Sequence, residues 1–384
     1  MNQLDLIGWL SILYFFLLGV SIITLLLNLK FFIRLDQFPQ AEHWPGVSIL
    51  VPARNEEHSI RACVQSLLIQ DYPDYEVIVL DDESSDQTGN ILTQIGEQFQ
   101  HLKIIKGKPL PKGWMGKNWA CHQLSEEAKG ELILFTDADT IHHPRMLKDS
   151  VSALTAQNAD LLTLIPYEKM GTWGEKIFLP YMFLSALVFF PIGIAHRLRN
   201  PLLCFSIGQF MFFKRSSYLQ IGGHGQIKSI IMEDLTLGRS IKRAGLRWRM
   251  VDGGLRVQCR MYHSFSETWK GLSRFLYLGY NNSILQLLVV WVWTSFVFLG
   301  PLIALGLKTG GVIHEISYSV IGLALFMDLA IWAIAYWRLR IPIILSLFFP
   351  ITFLLNLIAT FFSVYLTVTR RTTWKGRSLI KTEV

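Results

Sequence analysis

The chain has 384 residues, 51% of them hydrophobic, and a formal net charge of +7, enough length for one domain of ordinary size plus a membrane part. With apolar residues gathered at both ends, that charge points to an anionic leaflet or a phosphorylated substrate, and no basic helix with interleaved aromatics argues for nucleic acid. The four cysteines (Cys63, Cys121, Cys204, Cys259) form no Cys-x-x-Cys pair, which argues against zinc and fits free thiols in a reducing compartment.

Residues 6–29 are almost wholly apolar, long enough to cross a hydrocarbon core of about 30 Å. No positive charge precedes them and no small-residue cleavage site succeeds them, so a removable signal peptide is not expected. Lys30 and Arg34 come next, and the positive-inside bias places the chain beyond them in the cytoplasm. We expect a transmembrane helix within 1–34 and a short polar linker over 35–46.

From residue 47 short apolar runs alternate with helix-like stretches. The pattern predicts strands at 47–51, 76–80, 102–106 and 131–136, with helices at 56–70 and 86–99. Such alternation predicts an α/β domain around a mostly parallel, doubly wound sheet, whose ligands sit at the carboxyl ends of the strands. Three polar groups fall at those ends: Pro52-Ala-Arg-Asn-Glu56, Asp81-Asp-Glu-Ser-Ser85 and Asp137-Ala-Asp139. Asp137 and Asp139 end a buried run, where paired carboxylates are costly unless a cation offsets them. Hard oxygen ligands with room for phosphate oxygens suit Mg²⁺ or Mn²⁺. The bland alternative is a solvated Asp-x-Asp turn. His142 and His143 come next, and a loop role suits them better than ligation.

Residues 178–195 are apolar but interrupted by Pro180 and Pro191 and flanked by Glu175, Lys176, Arg197 and Arg199. A crossing there would split the domain across the membrane, so 175–199 is expected to be an interfacial or re-entrant segment. Sheet-like text resumes at 205–213, a short helix covers 215–221 before the turn at Gly222-Gly223, and a helix opens at Met232-Glu-Asp and runs to Arg243. Glu233 and Asp234 suit the positive end of that helix, so capping alone is one reading of them. Apolar stretches at 284–307, 316–337 and 341–368 close the chain as C-terminal membrane helices within 280–369, before a basic tail at 370–384. Arg338, Arg340 and the tail favour the inner side, but four simple crossings put the tail outside. A re-entrant hairpin at Pro342 and Pro350 would resolve that conflict.

Assembled, these pieces resemble membrane-bound family 2 glycosyltransferases of the GT-A (nucleotide-diphospho-sugar transferase, Rossmann-like) fold over about 47–279, the domain being inserted between the two membrane regions. Asp82, Asp137-Ala-Asp139 and Glu233-Asp234 stand where the family has its spaced aspartates. Val51-Pro-Ala-Arg-Asn-Glu-Glu57, Gly116-Lys117 with Ala120 after it, Arg260-Met-Tyr262 and the terminal Trp374-Lys-Gly-Arg377 are similar to bacterial carotenoid- and hopanoid-associated lipid glycosyltransferases. The resemblance implies a nucleotide-sugar donor, most simply UDP-glucose, held by Pro52, Arg54, Glu56, Asp82, Lys117 and Asp137. It implies a metal ion on Asp139, shared with Asp137, and a general base at Asp234 with Glu233 beside it. Gln209, Arg260, Tyr262 and Trp269 would face acceptor or diphosphate. Ordinary alternatives are a turn role for Asp82, a helix-start charge for Glu56, a surface lysine for Lys117, and a lipid-surface helix carrying Trp269.

One departure matters. The Gln/Arg-x-x-Arg-Trp element of processive relatives is missing after the base, which favours a product carrying one sugar. The expected function is an inverting transfer of one hexose to a carotenoid, hopanoid, sphingoid or diacylglycerol acceptor, by a multi-pass cell-membrane protein whose catalytic domain is cytoplasmic. The alternatives are a processive polysaccharide synthase and a membrane protein that binds nucleotide sugar without turnover.

Overall fold

The computed structural model describes residues 3–99, 101–280, 283–369 and 371, and the backbone of 373–374 and 377–378. Of the expected basic tail, Arg370, Lys375, Gly376 and Lys381 lie outside the described residues. The chain divides into two compact units: Met1–Phe31 with Met170–Pro191 and Tyr262–Thr372, and Phe32–Lys169 with Ile192–Met261 and the C-terminal tail.

The second unit is the α/β domain. Its strands are β1 (Val47–Ala53), β2 (Tyr75–Asp81), β3 (Leu102–Lys106), β4 (Leu132–Thr136), β5 (Thr140–His142), β6 (Leu161–Ile165), β7 (Tyr167–Glu168), β8 (Phe210–Lys214), β9 (Trp248–Asp252) and β10 (Val257–Cys259). Seven form one sheet in the order β3-β2-β1-β4-β8-β6-β9. All neighbours are parallel except β8, which runs antiparallel to both β4 and β6. A small second sheet, β5-β10-β7, starts directly after Asp139. β1 and β4 are covered on both faces, which is why they read as unbroken apolar runs.

In chain order the helices are α1 (Gln3–Phe31), α2 (Ile60–Leu68), α3 (Thr88–Gly96), α4 (Gly116–Glu127), α5 (Met146–Ala156), α6 (Trp173–Phe178), α7 (Pro180–Val188), α8 (Ile192–Arg197), α9 (Arg215–Gln220), α10 (Glu233–Arg243), α11 (Phe265–Phe275), α12 (Ile284–Thr309), α13 (Tyr318–Arg338) and α14 (Phe349–Val368). α2 places Ile60, Cys63, Val64, Leu67 and Leu68 at helical spacing, and this stripe packs into the core with Ile49, Val51, Leu134 and Phe210. It begins at residue 60 rather than 56 because Asn55 adopts φ +51°, and the Glu56 and Glu57 amides donate to Thr88 Oγ1 and Asp86 Oδ2. Those bonds hold 54–57 as a turn over the sheet edge. The expected turn at Gly222-Gly223 has φ of +73° and +50°, which only glycine adopts without strain.

The other unit is helical. Among the described residues, four helices are long and apolar enough to cross a membrane by length and composition: Leu6–Phe31, Ile284–Thr309, Tyr318–Arg338 and Ile343–Val368. No hairpin turn breaks the last of these within its described residues. Residues Ile343–Phe348 make a 3-10 turn and α14 then runs unbroken, with Pro350 in its first turn, where a missing N–H breaks no helical bond. The segment 175–199 resolves into α6, α7 and α8, broken near Pro180 and Pro191. At nine residues, α7 is about 14 Å long, well short of a span. Freed carbonyls around α6 and α7 are satisfied from the long helices: Asn356 Nδ2 donates to Phe178 O (3.0 Å), and Asn28 Nδ2 to Leu187 O and Phe190 O (both 2.7 Å). A broken helix in an apolar unit needs such partners, since lipid supplies none.

Candidate active site

Register brings the three predicted loops together. Ala53 pairs with Asp81 across β1 and β2, and Leu50 with Phe135 across β1 and β4, so the parallel strands release Arg54, Asp82 and Asp137 along one sheet edge. A cleft beside that edge is lined by Pro52, Lys117, Thr136, Asp137, Gly208 and Glu233.

Lys117 stands at the centre. It belongs to the first turn of α4, not to a loop, and its ammonium lies 2.8 Å from Asp137 Oδ1 and 2.9 Å from Glu233 Oε1. Burial would lower its pKa, but those two carboxylates outweigh burial and hold it well above the ordinary lysine range. It therefore stays charged and joins the Asp-x-Asp turn to the start of α10.

The turn itself is fixed from below. Thr140 Oγ1 donates to Asp137 O at 2.7 Å, and Thr136 Oγ1 donates to Gln209 O at 2.8 Å. His142 Nε2 lies 2.8 Å from Thr140 Oγ1 and 3.3 Å from Thr136 Oγ1, so the neutral ring is held against both hydroxyls. Burial lowers the His142 pKa to about 3, consistent with that neutral ring. His142 lies in β5 rather than a loop.

Asp139 lies two residues further on. Its Oδ1 is buried and has no hydrogen-bond partner among the described residues. Burial first, then the charges of Asp137 and Glu56, push its carboxyl up to about 7. An orphaned acid oxygen beside a second acid is what a hard divalent cation repairs, so these residues fit such an ion. Among the described residues no three His, Cys, Asp or Glu side chains form a closed ligand cluster.

Glu233 and Asp234 open α10. Asp234 Oδ2 accepts from the Gly208 amide at 2.9 Å and its Oδ1 from the Leu235 amide at 2.7 Å. Burial and the adjacent Glu233 push Asp234 up to about 7. A Cβ on Gly208 would lie 3.1 Å from Lys117 Nζ, so a side chain there would crowd the cleft.

Of the other predicted residues, Arg54 donates from Nη1 to Asp82 O at 2.5 Å and sits 3.8 Å from Asp82 Oδ2; Asp82 is buried at the end of β2. Glu56 accepts from Ser59 Oγ at 3.0 Å and lies in the turn before α2, not in the first turn of the helix. Gln209 is buried, with Nε2 2.8 Å from Cys259 Sγ, and Arg260 is half-buried after β10. Tyr262 and Trp269 belong to the helical unit. There Tyr262 covers Gly271, and the Trp269 ring packs 5.6 Å from Phe178 and 6.0 Å from Phe362.

Two residues escaped sequence reasoning. Gly208 acts through its backbone amide, which leaves no trace in residue type. Asn118, next to Lys117, is buried, its amide donating to Ile227 O (2.7 Å), Lys228 O (3.3 Å) and Ile230 O (2.8 Å), the loop that delivers Glu233. Its signal was position: a polar side chain one residue from a cleft lysine. Asn118→Leu would strand those carbonyls. We expect a loss of about 2–3 kcal/mol in unfolding free energy, read as a lower denaturation midpoint, together with a slower catalytic step.

Residues 48–222 match the family model described as Glycosyl transferase family 2. A 4,4'-diaponeurosporenoate glycosyltransferase of Staphylococcus haemolyticus (strain JCSC1435) is 26% identical over 306 residues, covering 76% of this chain and 78% of the relative. The enzyme of the same name from Staphylococcus aureus (strain MRSA252) is 27% identical over 263 residues, covering 65% and 66%. Among solved structures, the mannosyltransferase PcManGT of Pyrobaculum calidifontis, in complex with GDP-Man and Mn2+, superposes with a TM-score of 0.54 at 16% identity, covering 92% of this chain and 98% of that one. At that identity the likeness speaks to fold alone.

Proposed function

Since residues 48–222 form a glycosyl transferase family 2 domain and the chain is a family 2 glycosyltransferase, we propose that it transfers one hexose from a nucleotide sugar, most simply UDP-glucose, to the polar end of a membrane-dissolved, carotenoid-type acceptor. The observation that carries this reading is the Lys117 bridge, 2.8 Å to Asp137 and 2.9 Å to Glu233, which draws the donor-side and acceptor-side acids around one cleft. The names of the two staphylococcal relatives support an acceptor ending in a carboxylate.

In this proposal Asp139 and Asp137 hold a divalent ion, Mg²⁺ or Mn²⁺, whose chemistry is to neutralise charge on the leaving diphosphate. Lys117 exchanges its carboxylates for a phosphate oxygen, as a point charge. Pro52, Arg54, Glu56 and Asp82 line the place for base and ribose. Asp234, aimed by the Gly208 amide, takes the proton of an acceptor hydroxyl or, for a carboxylate acceptor, positions the already ionised oxygen. One displacement from the face opposite the leaving group inverts the anomeric centre. Gln209 and Arg260 remain candidates for acceptor contact. The α/β domain faces the cytoplasm, on the strength of Lys30 and Arg34 after α1 and Arg338 and Arg340 after α13.

The test is purified full-length protein with UDP-glucose, Mn²⁺ and a membrane lipid extract, read by mass spectrometry. A glycolipid one hexose heavier than its acceptor is expected. A ladder of sugars would replace this reading with a processive synthase. Tight donor binding without UDP release would replace it with a non-catalytic binder.

A further inference from the structure

The α/β domain carries a second feature that sugar transfer does not use. After α8 the chain runs through 195–203 across the end of α10, and it is clamped there. Lys242 is buried, and its ammonium donates to Ala195 O (2.6 Å), Leu198 O (3.2 Å) and Leu203 O, with the Trp248 ring 4.9 Å away. Arg249 Nη1 donates to His196 O at 2.9 Å, and the Met250 amide to His196 Nε2 at 3.0 Å. A buried ammonium committed to three carbonyls costs more to assemble than an ordinary loop requires. The segment is held as a built surface.

Its exposed side is unusual for a soluble domain. Ile194, Leu198 and Leu202 are 48%, 51% and 64% exposed, spaced four residues apart. Around them Arg199, Arg243 and Arg247 are exposed, and the Arg199 guanidinium lies over Gly245, 3.6 Å from where a Cβ would stand. Residues 192–203 and 239–249 together hold seven Lys and Arg and no Asp or Glu. Apolar residues bracketed by arginines match a layer of anionic headgroups over a hydrocarbon interior; the neighbouring acid, Asp160, is occupied by the Arg247 amide (2.9 Å) and the Ser217 hydroxyl (2.9 Å). A second copy fits poorly, because a two-fold contact would set this arginine-rich patch against itself.

We propose that Ile194, Leu198 and Leu202, with Arg199, Arg243 and Arg247, form a docking surface for an anionic lipid bilayer, separate from the long apolar helices. The proposal rests on the membrane anchoring of the chain and not on the sugar-transfer chemistry. It has a geometric consequence for that chemistry. Arg243 ends α10 and Asp234 nearly begins it, nine residues away, about 14 Å along the helix axis. Docking at one end of α10 therefore fixes how far the candidate base stands from the headgroups.

The test uses the full-length chain carrying Leu202→Cys, labelled with an environment-sensitive fluorophore; the four native cysteines are buried and spare the labelling. The protein is reconstituted in vesicles of phosphatidylcholine alone or with phosphatidylglycerol. We expect a blue-shifted emission only with phosphatidylglycerol, weakened by added salt and abolished by Arg199→Gln, Arg243→Gln and Arg247→Gln together. The triple variant should also slow transfer to acceptor dissolved in phosphatidylglycerol vesicles about tenfold. An emission that stays water-like in both vesicles, or shifts equally in both, overturns the proposal. So does a shift in detergent that grows with protein concentration, which would assign the surface to contacts between copies. Fluorescence does not depend on turnover, so either reading can fail without the other.

Discussion

Asp139→Asn is expected to abolish ion-dependent sugar transfer while making the unliganded domain harder to unfold. The orphaned Oδ1 and a pKa pushed up to about 7 mark this carboxylate as costly to ionise without a cation. A carboxyl whose folded pKa is raised adds stability below its unfolded value near 4, and that gain is lost as pH climbs through the folded value. Above about pH 7 the ionised group therefore opposes folding, and the neutral amide should relieve it. At pH 8 in EDTA the variant should melt at a higher temperature than the parent. Adding Mn²⁺ with UDP should raise the parent's melting temperature and leave the variant's unchanged. Turnover should fall on the order of 10³-fold, the scale of losing a group that stabilises developing charge. A variant that still responds to Mn²⁺ would remove Asp139 from the ion site.

Asp234→Asn should separate binding from chemistry. The amide keeps an oxygen for the Gly208 N–H but cannot take a proton, so donor affinity should hold while transfer to a hydroxyl acceptor drops about 10²–10⁴-fold. The pH profile gives a sharper signature. With a pKa pushed up to about 7 by burial and Glu233, Asp234 is protonated and idle below that point. Parental kcat/KM toward a hydroxyl acceptor should rise with pH through about 7, and the variant should lose that limb. Isothermal titration with UDP and Mn²⁺ checks the first claim, and initial rates across pH check the second. Parental rates in Asp234→Asn would exclude it as the base.

The central strands were readable because β1 and β4 are buried on both faces and so appear as continuous apolar text. The acids were readable because charge at the end of such a run needs a reason. Strand order was not. The antiparallel entry of β8 between β4 and β6 depends on where 205–213 lands in space, which local periodicity does not encode. The start of α2 was misjudged because its first turn is held open by Thr88 and Asp86, some thirty residues away. Gly208 and Asn118 act through a backbone amide and a buried carboxamide, groups that carry no charge pattern to notice.

The Lys117 bridge implies an order of arrival. Before anything enters, its ammonium is engaged by Asp137 and Glu233, and Asp139 and Asp234 add further acid around it. A bare nucleoside diphosphate approaching that cleft meets carboxylates whose lysine is already engaged. If nucleotide and counter-ion arrive as a single complex, their joint entry would supply the charge for which the lysine could change sides.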